Sequence, residues 1–422
     1  MISLLLGLFV VFMFLGVPIA IAIGASTLVA LYQHGVPLLV MTQHMFQGIN
    51  SFVLVAVPMF ILAGDLMSQG KVSERLVDFA DALVGFLKGG LSLVSVAAGM
   101  FFAAISGSGA ATTAAVGSTL VPELKRKGYE SASAASLIAA SGTIGVVIPP
   151  SVPMIIYAVL AQQSVSQLFL SGVIPGILMG LVLGGIAVVQ AYQRNYPRGT
   201  PLSLRTIGKT FLSAIWGLLT PIIILGGIFS GYFTPSEAAV VAVNYALLVA
   251  LFVYRDLKLK DIYPLLIKSA ITTSVIMLVI ATSAVLSWTL ASWRVPSMVA
   301  AGFLSLSTEP LMILFLIVLV ILLTGIFLET ASALIILTPV LLPLVVQLGV
   351  SPIHFGLIIV MGLAIGMITP PVAINLYVAS SVSHQPLERI AVAVIPYLLG
   401  LISVLMFVVY VPFWMQWSFA GY

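Results

Sequence analysis

Segment after segment of this chain runs for about 20 or more apolar residues, the length at which a helix spans a bilayer. In hydrocarbon every backbone donor and acceptor has to be satisfied inside the protein, so runs of this kind are read as helices. With 422 residues, 61% of them hydrophobic and only 7% charged, the sequence describes an all-α polytopic membrane protein. It has no cysteine, which removes disulfide, thiolate-metal and cysteine-nucleophile chemistry. Its four histidines, His34, His44, His354 and His384, lie at or near the ends of apolar segments. No HExxH, Walker A loop or catalytic carboxylate pair is present in the sequence, so it reads as no enzyme, and no cofactor is expected. The first apolar run is too long for a signal peptide and lacks a charged leader, so it is expected to be retained.

Nine full crossings are expected, at about 2–32, 51–69, 131–160, 168–193, 211–230, 235–254, 265–292, 354–382 and 387–416. Two further apolar stretches, about 89–121 and 310–348, are read as hairpins that enter and leave on one side. This arrangement puts every Lys and Arg except Arg294 on one face, from Lys71, Arg75 and Lys88 through Lys125, Arg126 and Lys127 to Arg389. The positive-inside rule makes that face cytoplasmic, with the N-terminus inside and the C-terminus outside. Treating either hairpin as a single crossing would scatter the cations over both faces.

Two of the apolar segments are interrupted in the same way. "SGTIGVVIPPSVP" occupies 141–153 and "GLAIGMITPPVAI" occupies 362–374. The shift of 221 positions that carries Pro149 to Pro370 also pairs Pro122 with Pro343, Ile144 with Ile365, Gly145 with Gly366 and Pro150 with Pro371. Val173, Ile174 and Pro175 follow in the same register with Val394, Ile395 and Pro396. The halves are therefore read as repeats, 1–200 and 235–422, joined by a linker helix within 201–234. Four crossings and one hairpin per repeat, with one unpaired linker helix, make them an inverted-topology pair. Secondary transporters use that plan, with sites near the midplane on discontinuous helices.

Proline lacks the amide donor and blocks a helical carbonyl contact, so a Pro-Pro pair in mid-membrane frees backbone groups that an ion or water has to satisfy. The broken helices are expected to offer carbonyls to a cation and half-helix N-termini to an anion. The tip of the first hairpin, Ser106, Gly107, Ser108 and Gly109, is small and rich in oxygen, as a Na⁺ site requires. Close helix packing through small residues is the competing reading. The second tip holds Glu329, aligned with Ser108 by the same shift and read as a functional carboxylate at membrane depth. Asp65 is expected as a cap or interfacial residue, Glu237 with Thr234 as a capping box, Arg294 as an anchor or anion contact, and 71–88 as an amphipathic interfacial helix.

The motifs "SGSGAATTAAVGSTLVPELKRKGY", "GTIGVVIPPSVPMIIYA", "GYFTPSEAAVVAV" and "GMITPPVAINLYV", in this order, resemble the large membrane subunit of a tripartite ATP-independent periplasmic (TRAP) transporter. The likeness runs over essentially the whole chain. It implies sodium-driven import of an organic acid delivered by a periplasmic substrate-binding protein, through an elevator-like movement of the hairpins and broken helices against a scaffold in the bacterial inner membrane. A small membrane subunit is implied as a separate polypeptide. Nucleic acid is no expected partner.

Carried onto matching positions, the resemblance puts one sodium ion between Ser106, Gly107, Ser108, Gly109 and the stretch Ser141, Gly142, Gly145, Pro149. A second falls between Gly325, Thr330 and the stretch Gly366, Thr369, Pro370, and substrate near Ser108, Thr112, Ser151, Glu329 and Asn375. In the sialic acid importers of the family an acidic residue stands where this chain has Thr112, and an arginine where it has Pro153. Both departures favour a C4-dicarboxylate or another small organic acid over sialate. A stand-alone sodium-coupled dicarboxylate carrier and a channel are the competing transport readings, and an intramembrane enzyme would need a nucleophile or metal constellation that the sequence does not show.

Overall fold

The structure, a computed structural model, describes residues 2–69, 71–199 and 201–415. Apart from one isolated bridge between Lys88 and Arg198, the regular structure of the described residues is helical. Among the described residues eight helices are long and apolar enough to cross a membrane, and the pair Ser131–Val147 and Val152–Leu160, bent by 41°, makes a ninth if it is one span; two of the eight are the arms of the hairpin expected at 310–348, while the crossings expected at 2–32 and 354–382 are built from shorter helices. The last residue of the crossing expected at 387–416, and the chain ends on which the expected sidedness of the termini falls, lie outside the described residues.

The run expected as a single crossing at 2–32 is divided. Ile2–Phe14 stops where Gly16 takes a φ of 74°, and Pro18 opens the way to Ile19–Gln33. At 1.5 Å per residue the two helices are only about 20 Å and 22 Å long, short of the 30 Å of a hydrocarbon core. They pack on one another and share an apolar cluster that includes Leu5 and Ile23. Hydropathy runs straight through this turn because Gly16 and Pro18 break a helix without being polar. Two short helices that were not expected, Leu38–Ile49 and Val295–Leu306, also join the bundle.

The first hairpin is Gly90–Ser106 and Gly109–Arg126, with Gly107 at a φ of 59° and the Ser108 hydroxyl accepting from the Ala111 amide to start the second arm. The second is Pro310–Phe327 and Thr330–Gln347. Both arms of the first lie on Ser131–Val147, the front half of the first broken helix, and both arms of the second lie on Pro352–Gly366, the front half of the other. These front halves have almost no hydrophobic periodicity because they are buried nearly all round. The rear half of each broken helix crosses to the other set. Val152–Leu160 packs on Thr330–Gln347, and Ile374–Ser383 packs on Gly109–Arg126.

Helix limits recur at the shift that carries Pro149 to Pro370. Gly109–Arg126 falls on Thr330–Gln347, and Val152–Leu160 on a segment overlapping Ile374–Ser383. Both Pro149-Pro150 and Pro370-Pro371 are cis peptides.

The remaining helices frame this assembly. Phe52–Gln69 packs on Pro235–Val253 and on Leu259–Ser292. Asp65, expected as a cap or an interfacial residue, joins two helices: one oxygen is 2.6 Å from Lys268 Nζ and the other accepts from Ser269 Oγ at 2.7 Å. Thr234 and Glu237 form the capping box, with the Thr234 amide 2.8 Å from the Glu237 carboxylate. The amphipathic stretch becomes Val72–Val84, anchored by Arg75, which stacks over Tyr254 at 3.6 Å and pairs with Asp256 at 3.0 Å.

Candidate site between hairpin tips and broken helices

Glycine decides how closely the first tip meets the first broken helix. A Cβ on Gly145 would lie 2.6 Å from Thr112 Oγ1 and 2.8 Å from the Ser108 carbonyl oxygen. One on Gly142 would collide with Thr113 Oγ1 and stand 2.9 Å from the Gly109 carbonyl oxygen. One on Gly107 would stand 2.7 Å from the Pro150 carbonyl oxygen, beside Ser151. The missing side chains bring backbone and hydroxyl oxygens from two separate segments together.

Those oxygens are already networked. The Ser106 and Thr112 hydroxyls are 2.8 Å apart, and Thr112 Oγ1 donates to the Ser108 carbonyl at 2.9 Å. Thr113 Oγ1 donates to the Gly109 carbonyl at 2.9 Å. Ser151 caps Val152–Leu160 by accepting from the Met154 amide and donates to the Val146 carbonyl. Ser106, Thr112, Thr113 and Ser151 are all buried.

The second broken helix supplies Asn375. It is fully buried beside Gly109, its Nδ2 donates to the Ala139 carbonyl at 3.4 Å, and its Oδ1 has no hydrogen-bond partner. A buried carbonyl oxygen left without a donor is a hard ligand available to a cation. Thr113 escaped the sequence reading although it stands next to Thr112. Its position opposite Gly142 depends on how the two segments cross.

The second contact is built from glycine against glycine. A Cβ on Gly366 would lie 2.5 Å from Gly325 backbone atoms, and one on Gly325 would lie 3.1 Å from Gly366 Cα. Thr369 Oγ1 donates to the Ile365 carbonyl at 2.9 Å, and the buried Thr330 hydroxyl has no hydrogen-bond partner. Pro370 forms part of the turn between the two halves, where the Met367 carbonyl accepts from the Asn375 amide at 3.0 Å.

Two expected residues are placed differently. Ser141 bonds back to the Ile138 carbonyl at 2.9 Å and packs against Gly99, partway along the entry arm and away from the tip. Glu329 is exposed at the second tip, where one carboxylate oxygen accepts from the Ala331 and Ser332 amides at 3.0 Å and 3.3 Å. It caps Thr330–Gln347, and the contacts that gather Ser108, Thr112 and Ser151 do not include it. Pro149 is buried at the break in the first helix.

The family model of the tripartite ATP-independent periplasmic transporter, DctM component, matches residues 6–414. The chain belongs to this family. It is 41% identical over 368 residues to the C4-dicarboxylate TRAP transporter large permease protein of Pseudomonas aeruginosa, covering 87% of this chain and 86% of that protein. It is 40% identical over 414 residues to the isethionate TRAP transporter permease protein DctMQ of Oleidesulfovibrio alaskensis, covering 97% of this chain and 65% of that longer protein. Among solved structures, the Alcanivorax borkumensis YdaH transporter shares the fold at a TM-score of 0.68 and 14% identity, over 90% of this chain and 88% of that one. For this DctM component, glycine contacts, neutral oxygens and half-helix N-termini are the material of the candidate site.

Proposed function

We propose that the chain carries out sodium-gradient-driven import of a small organic acid anion across the bacterial inner membrane. A periplasmic substrate-binding protein delivers the anion, and a small membrane subunit completes the transporter. The buried Asn375 oxygen, without a hydrogen-bond partner on a side chain that packs beside Gly109 of the first tip, is the observation that carries this reading. Na⁺ is a hard cation, and neutral oxygens from Ser106, Ser108, Thr112, Gly142 and Asn375 suit it. A second ion fits the reading at Gly325, Thr330, Gly366 and Thr369, where a buried hydroxyl also lacks a partner.

The substrate anion has its favourable field at the N-termini of Gly109–Arg126 and Val152–Leu160, capped by Ser108 and Ser151. The repeats are inverted in this account, and the hairpins and broken helices travel together against the frame as an elevator. The cross-packing of each rear half on the other repeat's hairpin supports their moving as one body.

A C4-dicarboxylate-like acid is favoured. Relatives named for a dicarboxylate and for a sulfonate are almost equally identical to this chain, so the choice rests on the site and not on overall likeness. Uptake into proteoliposomes containing this chain and its small subunit tests the reading, with labelled succinate, sialate and a monocarboxylate, each with and without binding protein. The expected result is succinate uptake that requires the binding protein. Uptake at full rate without it would replace the tripartite reading with a stand-alone carrier, and conductance that needs no gradient would remove the transporter reading.

A further inference from the structure

A cleft of about 540 Å³ lies outside the site just described, a volume suited to a small molecule. One wall is Gln47, Ser51 and Ser287, on elements that pack together where Gly48 meets Ala284. The other is Gln162 and Gln163, in the turn just past the rear half of the first broken helix, and Pro339, on the return arm of the second hairpin. No Lys, Arg, Asp or Glu is among the lining residues. Its polar groups are three amides and two hydroxyls, set among apolar side chains.

The side on which the cleft lies follows from the helices that build it. Phe52–Gln69 begins at the cleft and ends next to Lys71 and Arg75, and Leu259–Ser292 reaches it at the end opposite Lys258, Lys260 and Lys268. The cleft is thus at the cation-poor end of both helices, the outer face under the positive-inside rule. The cleft and the tips share one helix. Ile156 on its wall is five residues beyond Ser151 along one helix, about 7 Å.

The geometry points to a second, outward-facing binding site in this cleft, which takes the uncharged polar groups of an organic acid, its hydroxyl or keto oxygens, before the acid reaches the hairpin tips. The inference rests on the transport reading and deepens it. Neutral amides and hydroxyls pair well with hydroxyl and carbonyl groups, and a site built to bond a hydroxyl disfavours the analogue that lacks it because its own polar groups stay unpaired. A carboxylate finds no cation here and stays hydrated at the mouth. The cleft therefore selects hydroxy or keto acids over plain dicarboxylates of the same length.

The cysteine-free chain makes the test direct. Ser51→Cys and Ser287→Cys are made singly in the whole transporter, with Lys127→Cys on the basic face as a control, and a membrane-impermeant thiol reagent is applied from each side of oriented vesicles. Both cleft cysteines are expected to react from the outer side and Lys127→Cys only from the inner one. Tartrate or malate at saturating concentration is expected to slow the cleft reactions at least about fivefold more than succinate does. Reaction from the inner side only, failure of any acid to protect, or equal protection by succinate overturns the assignment. Uptake by the unsubstituted transporter in the same vesicles reports the transport reading independently, so the two can fail separately.

Discussion

At Gly142, Gly145 and Gly366 an added methyl meets another segment's backbone or a hydroxyl fixed to it. Gly142→Ala, Gly145→Ala and Gly366→Ala are each expected to lower stability by about 1–3 kcal/mol and to abolish uptake by wedging tip from broken helix. Gly185, with open space where its Cβ would go, is the control: Gly185→Ala is expected to be neutral or stabilising by up to about 1 kcal/mol, with normal uptake. Melting in detergent and uptake check the set. Asn375→Ala removes one weak bond and the unpartnered oxygen, and the expected result is a folded protein whose apparent sodium affinity falls about tenfold, roughly 1.4 kcal/mol. The glycines were legible because Gly142 and Gly145 form a Gly-x-x-Gly just before Pro-Pro, and Gly366 stands four residues before the matching Pro370-Pro371. The orientation of Ser141 was not, since a helix buried on all sides leaves no periodicity to show which neighbour a residue faces.

Charged groups at the ends of the framing helices set local stability at the level of the element. Asp256 accepts from both Arg75 and the Lys71 amide and ties the start of Val72–Val84 to the turn after Pro235–Val253. Asp256→Asn is expected to lower stability by about 1–3 kcal/mol, seen as a lower melting temperature. Asp78 on Val72–Val84 behaves oppositely: burial, then the nearby Asp81, Glu74 and Glu123, push its carboxyl above the usual 3.8. A raised acid binds its proton more tightly when folded, so it weakens the fold once pH rises through the folded value, and the effect disappears as pH falls to the unfolded one. Asp78→Asn should therefore raise the melting temperature slightly at pH 7, by less than about 1 kcal/mol given its partial exposure, and match the parent in acid. A larger gap at low pH would reverse the sign. Element limits were legible where a Thr cap meets Pro, as at Thr234. They were lost at 2–32, where the turn is made of apolar residues and Gly16 only shows its left-handed φ in the fold.

For the whole molecule, the segregation of cations made the two hairpins legible and the recurrence of sequence at a fixed shift made the two broken helices legible, and the structure packs each hairpin on a broken helix. The packing of each rear half on the other hairpin was not legible, because a recurring pattern specifies each segment's interior and says little about how separate segments interlock. In the proposed account each of the two tip contacts holds one coupling ion. The sodium dependence of labelled-acid uptake, taken to saturation in proteoliposomes with the complete transporter, measures this most directly. The account predicts a sigmoidal dependence with a Hill coefficient between one and two that is lost in Asn375→Ala. Uptake indifferent to sodium, or a sodium response unchanged by that substitution, would contradict it.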